Sequence, residues 1–239
     1  MKKIILLTLI FIGNFIFSQQ NAIVTYKIKK IDDKNFEQQL RRYGNNFYKR
    51  FQNYFDLAKD FEFLLEFNPD ESLYYWQEEI LPDDVNQYYF IQAKLLGGAM
   101  GKYYQNKKDS LRLYQIMSPI DNQMKRITSN LYKKYNWQIT NERDTILGFP
   151  VIKAISGNVE VWFTPQIPVP FGPAGFGGLP GLILKKRFLK QFPATEIVAV
   201  KIEFSKEKIK IKKPMKGILK SEEQNRKDNI REMNRNFDR

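Results

Sequence analysis

The chain of 239 residues contains no histidine and no cysteine. The absence of histidine removes the commonest general base and the commonest transition-metal ligand together. A Ser-His-Asp triad, a Cys-His nucleophile pair, a thiolate zinc site and haem ligation by histidine are therefore excluded within this chain. No disulfide can staple the fold, so apolar burial must stabilise it. A content of 43% hydrophobic and 15% aromatic residues is sufficient for that. Proline and glycine are sparse except in one place. Five of 11 prolines and five of 13 glycines fall in the 17 residues PQIPVPFGPAGFGGLPG, Pro165–Gly181.

Only the N-terminus carries a long apolar run. MKKIILLTLIFIGNFIFS has a basic start at Lys2 and Lys3, an apolar stretch from Ile4 to Phe17 and a small residue, Ser18. This pattern predicts an export signal over residues 1–18. A membrane anchor is the competing reading, but the run is short for a span and is interrupted by Gly13 and Asn14. With no cysteine after it, lipid attachment at cysteine is excluded. The expected location is exported: periplasmic or associated with the outer membrane, extending to the cell surface.

The formal charge is +13, or +11 once Lys2 and Lys3 leave with the signal. Such a charge suits anionic surfaces of the envelope, with a merely solubilising lysine surface as the alternative. Nucleic acid is not expected as a partner, since no binding motif for it is visible.

AIVTYKIKKI alternates, with Val24, Tyr26 and Ile28 on one side, and predicts a half-buried strand. From Asn35 the period lengthens. Phe36, Leu40, Tyr43, Phe47, Phe51 and Tyr54 mark one face of an amphipathic helix over about 35–57, packed on a sheet. Alternation resumes in FEFLLEF and, after the turn NPDES, in SLYYWQ. Further strands are predicted at QYYFIQ, KYYQ, LRLYQIM, VIKAI, VEVWFT, LILKKR and EIVAVKIEF. The fold class expected is mainly β (α+β): a curved, mostly antiparallel sheet or half-barrel with one amphipathic helix packed on it. The domain reading is a signal at 1–18, a single β-rich domain at 19–204 and a basic tail or helix at 205–239. From Ser205 onward 12 basic residues face 6 acidic ones, and Ile230, Met233 and Phe237 suggest a helical stripe.

The Pro/Gly stretch predicts a loop of one defined shape. Proline limits the unfolded chain and glycine lets backbone approach closely, whereas a flexible linker would carry serine without so much proline. Phe171, Phe176 and Leu179 are expected to fold back toward the core or the mouth of the sheet. Neither this loop nor LGGAMGKYY, Leu96–Tyr104, matches a phosphate-binding fingerprint in spacing.

GLPGLI, Gly178–Ile183, with ILGFPVIKA, VEVWFTPQIP and GPAGFGGLPGLIL before and around it, resembles the signature of the GLPGLI family of Bacteroidota exported proteins. LLEFNPDESLYYW resembles that family's upstream segment, and the basic tail after Pro214 its C-terminus. Many members carry a cysteine near the position of Val151, so a redox role does not extend to this chain. The resemblance implies an envelope protein of unestablished function, in lineages rich in outer-membrane transporters, and supplies no catalytic residues.

Two non-enzymatic roles follow as expectations: an accessory subunit docking on an outer-membrane protein, or a carrier of a lipid or other hydrophobic ligand. The docking residues expected are Trp162, Pro168, Phe171, Phe176, Gly178, Leu179, Pro180 and Gly181. No catalytic residue, metal or cofactor is expected. A carboxylate hydrolase is the enzymatic alternative, with Glu78, Glu79, Asp83 and Asp84 as its acids, although chain neighbours usually point apart.

Overall fold

A computed structural model describes residues 21–31, 41–78, 85–188 and 195–237. The expected signal, Phe36, Leu40, Glu79, Asp83 and Asp84 lie outside the described residues. Twelve strands form one open sheet: β1 (Asn21–Lys30), β2 (Phe63–Phe67), β3 (Glu71–Trp76), β4 (Lys102–Asn106), β5 (Leu111–Met117), β6 (Met124–Asn130), β7 (Gln138–Ile146), β8 (Phe149–Ser156), β9 (Val159–Thr164), β10 (Leu182–Phe188), β11 (Thr195–Ser205) and β12 (Ile218–Ser221). Their order is β12-β6-β5-β4-β3-β2-β1-β11-β10-β9-β8-β7. Among the described residues every pairing is antiparallel, several through short hairpins, except that of β12 with β6, which is parallel. The long β1–β11 ladder joins the two halves of the chain at the middle of the sheet.

The mainly β, mostly antiparallel fold agrees with the alternation in the sequence. On one face of the sheet Val24, Tyr26, Phe63, Leu65, Phe67 and Tyr74 form a continuous core with the helices and the Pro/Gly loop. Helix α1 (Asn45–Ala58) contributes Phe51, Phe55 and Ala58, with Phe47 and Tyr54 at its margin. Burying each large apolar side chain contributes roughly 2 kcal/mol. The described helix starts later than the predicted stripe. Gly44 adopts φ 94° at its N-cap, and Tyr43, 64% exposed, falls in the turn before it.

QYYFIQ, predicted as a strand, is instead part of helix α2 (Gln87–Leu96). Its β-favouring aromatics mislead, whereas its ends are informative. The Asn86 side chain accepts from the backbone N–H of Tyr88 and Tyr89, and Gly97 and Gly98 stop the helix. Phe90 packs against the core ring of Phe61, and Tyr74 anchors the helix end by donating its hydroxyl to the Gly97 carbonyl over 2.7 Å.

The expected tail contains β12 and helix α3 (Glu222–Phe237). Between β11 and β12 the chain is pinned across the outer face. Asn68 donates to the Ile209 carbonyl and Gln115 to that of Lys216. Ile211 covers a small second cluster of Leu73, Tyr104 and Leu113. Three strands escaped the sequence reading: β6 and β7 are largely polar with weak hydrophobic alternation, and β12, Ile218–Ser221, is too short to show any.

Candidate functional site: an aromatic cavity walled by the Pro/Gly loop

The loop between β9 and β10 lies folded against the inner face of the sheet. Only Pro165, Gln166, Pro168 and Pro180 of its residues are exposed. The rest is held by side chains that approach its backbone carbonyls. Arg112 donates from Nε to the Gly175 carbonyl at 2.8 Å, and Gln105 donates from Nε2 to the carbonyls of Gly175 and Phe176. Trp137 donates from Nε1 to Gly177, and Tyr26 from its hydroxyl to Ile183. The loop also pairs with itself, through Gly178 N–H to the Pro170 carbonyl and Ile183 N–H to that of Phe171.

Its glycines are required by this packing. A Cβ at Gly181 would lie 2.2 Å from the Thr164 carbonyl oxygen, and one at Gly175, where φ is 71°, would lie 2.4 Å from the Tyr103 ring. The concentration of proline and glycine therefore gives the loop a compact shape that brings its backbone against the protein's own core.

The eight expected site residues separate accordingly. Phe171 and Leu179 are buried in the core, and Gly181 is pressed against Thr164. Trp162 lies on the outer face of β9, 4.7 Å from Lys185 Nζ and 5.7 Å from Lys153 Nζ, measured to its ring centroid. Pro168, Gly178, Leu179 and Pro180 line a shallow pocket of about 360 Å³ with Tyr132 and Lys107. Phe176 alone of the eight reaches the larger cavity described next.

That cavity, of about 640 Å³, lies between α1, α2, the loop and the inner face of the sheet. Its walls include Phe47, Tyr54, Tyr103, Tyr135, Phe176 and Phe188. Phe176 stacks on Tyr135 at 4.8 Å, which makes the loop a rigid wall of the cavity. Among the described residues three cations line it, Arg112, Lys134 and Lys186, and no carboxylate does. Lys134 pairs with Glu222 at the start of α3.

Lys186 is different. It is 6% exposed, and among the described residues it has no carboxylate partner and no hydrogen-bond acceptor. Its Nζ sits 3.6 Å from the ring centroid of Phe188 and 5.2 Å from that of Phe176. Cation–π attraction of about 2 kcal/mol does not replace the lost hydration of an ammonium. Burial accordingly pushes its pKa down to about 7. Burial also raises the pKa of Tyr54 and Tyr135 to about 12, so both remain phenols at neutral pH.

None of Lys186, Arg112, Gln105 or Trp137 was identified by sequence reasoning. The one available signal is the register of LILKKRF, in which Lys186 falls between Leu184 and Phe188 on a two-residue period.

Two other charged regions differ in kind. On the outer face Glu160, fully buried, is flanked by Lys153 at 3.0 Å and by Arg187. Burial alone would raise its pKa, but the two cations outweigh that and hold the carboxyl below its usual range. Glu142, which also pairs with Lys153, balances the second cation, and the cluster closes over Trp162. A second groove of about 640 Å³ lies beneath the tail among Lys102, Lys210, Lys212, Lys213 and Lys216, all exposed and solvated. Glu78 is exposed, and no cluster of three or more metal-ligating side chains occurs among the described residues.

No helix among the described residues is long and apolar enough to cross a membrane, which says nothing of a β-barrel. No curated protein matches the chain. Among the solved structures that share its fold are two of PNGF-II. The form in space group C2 is 16% identical with a TM-score of 0.54, over 89% of this chain and 33% of that one. The form in P21 is 19% identical with a TM-score of 0.53, over 88% and 33%. The present chain thus spans about one third of the length of PNGF-II, and at this identity the likeness is one of fold alone. Residues 154–185, from β8 through the Pro/Gly loop into β10, match a family described as a protein of unknown function, Porph_ging.

Proposed function

We propose that the protein is an exported, non-enzymatic binding protein that holds a hydrophobic or amphipathic small molecule in the aromatic cavity. The observation that supports this reading is the cavity of about 640 Å³, with aromatic side chains on its walls and the hydrogen-bonded loop as its fixed side. Pockets of this size that combine aromatic walls with convergent polar groups suit small ligands, and a preorganised wall lowers the entropy lost on binding. Native mass spectrometry of the mature protein, purified gently from its own envelope, tests it. A reproducible small-mass adduct is expected, and a bare protein that also binds no apolar probe overturns it.

Docking on an outer-membrane protein is the second reading. It draws on the shallow pocket of Pro168, Leu179, Pro180 and Tyr132, which is the outward side of the same loop. Recovery of a discrete complex in the same spectra, lost when Tyr132 is replaced by Ala, would favour it over the carrier reading.

A further inference from the structure

We infer that the ligand is an organic anion with a single carboxylate on an apolar body, and that its carboxylate pairs with the Lys186 ammonium inside the cavity. This rests on the binding reading above and specifies the class of ligand. Three observations lead to it. Among the described residues the cavity is lined by cations and by no carboxylate. Of its cations, Lys134 is neutralised by Glu222, and Arg112 has committed Nε to Gly175 and Nη1 to Ser129. Lys186 has neither kind of partner among the described residues, although it is nine-tenths buried and lies against the rings of Phe176 and Phe188. A buried ammonium without an anion is a costly arrangement, and a carboxylate entering the cavity would remove that cost. One free ammonium, with the outer edge of one guanidinium, suits one negative charge. The aromatic walls then suit an apolar body.

Charge coupling follows from the same geometry. The ionisable groups facing the cavity with Lys186 are Tyr54 of α1, Tyr103 of β4, Arg112 of β5, and Lys134 and Tyr135 from the segment between β6 and β7. Burial raises the pKa of all three tyrosines, so they do not ionise near neutrality. A guanidinium does not lose its proton in proteins. Lys186, with its pKa lowered to about 7, is then the group whose charge changes in this range. The carboxylate should bind to the charged form. Affinity is therefore full below pH 7 and falls by about tenfold per unit above it, until the raised pKa of the complex is reached.

Calorimetric titration of the intact mature protein with decanoate and with decanol, between pH 6 and pH 8.5, tests the inference. The expected result is a preference for decanoate of at least about tenfold at pH 6 that fades by pH 8.5, with decanol independent of pH. Lys186→Met, with its melting temperature measured in parallel, should bind decanol normally and lose the preference. Equal affinity for acid and alcohol, a decanoate affinity flat with pH, or a preference that survives in a folded Lys186→Met protein would each overturn the assignment of an anion while leaving the cavity as a binding site. Failure of both probes to bind would overturn the binding reading itself, and this inference with it.

Discussion

Arg112 Nε and the carbonyl oxygen of Gly175 are 2.8 Å apart, a contact that ties strand β5 to the turn closing the Pro/Gly loop. The guanidinium also lies 5.0 Å from the Tyr103 ring centroid, and the same ring meets Gly175 where a side chain would otherwise stand. Strand, turn and ring thus fix one another, and the cavity inherits its shape from that arrangement.

Replacing Arg112 with Met should consequently loosen the loop. The Gly175 carbonyl would keep only the longer bond from Gln105, at 3.2 Å, and a buried acceptor deprived of its main donor costs about 1–3 kcal/mol. Urea unfolding should show that loss, and hydrogen exchange at Phe176 and Gly178 should quicken. An unchanged unfolding midpoint would mean that the loop holds its shape without the arginine.

Gly181→Ala and Gly148→Ala separate crowding from backbone strain. At Gly181 the added methyl would meet the Thr164 carbonyl at 2.2 Å, and the β9–β10 ladder must shift to admit it. At Gly148, φ is 79° and nothing lies within 4 Å, so only the left-handed conformation is penalised. The expected costs are about 3 kcal/mol or more and about 1 kcal/mol, respectively. Equal losses in chemical denaturation would contradict the assignment of Gly181 to close packing.

The sequence made the sheet legible where one face was apolar. Val24, Tyr26 and Ile28 alternate because Thr25 and Lys27 face the other way, and that pattern identifies β1 directly. Polar edge strands such as β7, with its register shift between Ile139 and Arg143, carry no such signal. Helix α2 was misread because tyrosine and phenylalanine at Tyr88–Phe90 favour strands locally, while tertiary contacts and the Asn86 cap decide the outcome. The loop was recognisable from composition as rigid, but not as buried. What it packs against, Arg112, Gln105 and Trp137, comes from distant strands and connections whose register no local pattern reveals. Lys186 was hidden for another reason. In the run Lys185-Lys186-Arg187 all three residues appear solvated, and only the period set by Leu184 and Phe188 turns the middle one inward.

Acid should weaken the hairpin that joins β5 and β6. Lys125 is 2% exposed and its ammonium contacts Asp121 at 2.7 Å. That hydrogen bond, helped by Ser118 and the Gln123 N–H, lowers the Asp121 pKa to about 2. A carboxyl depressed in the folded state contributes stability that is present above its unfolded value near 4 and is lost as pH falls from there to about 2. With solvent screening of the partly exposed aspartate, the contribution is about 1 kcal/mol. Asp121→Asn should abolish this part of the acid dependence while lowering stability at neutral pH, because Lys125 then keeps only the distant Asn229 amide oxygen at 3.5 Å. Parallel stability curves for both proteins from pH 5 to pH 2 would count against the pair.

Lys186 should produce a slope of the same sign at neutral to alkaline pH. Its pKa is lowered by burial from an ordinary value of 10.5 to about 7. Between those limits the unfolded chain binds a proton that the folded chain does not, so stability rises with pH through this window and levels off above it. Below pH 7 the charged lysine is a net burden on the fold, and Lys186→Met should stabilise the protein there by roughly 2–4 kcal/mol and flatten the rise. Thermal denaturation of both proteins at pH 6 and pH 9.5 measures the difference. A variant less stable than the wild type at pH 6 would show that the ammonium has a stabilising partner in the folded protein. A more stable variant would leave a residue that weakens the empty fold at the centre of an aromatic cavity, as expected of a group held there for its ligand.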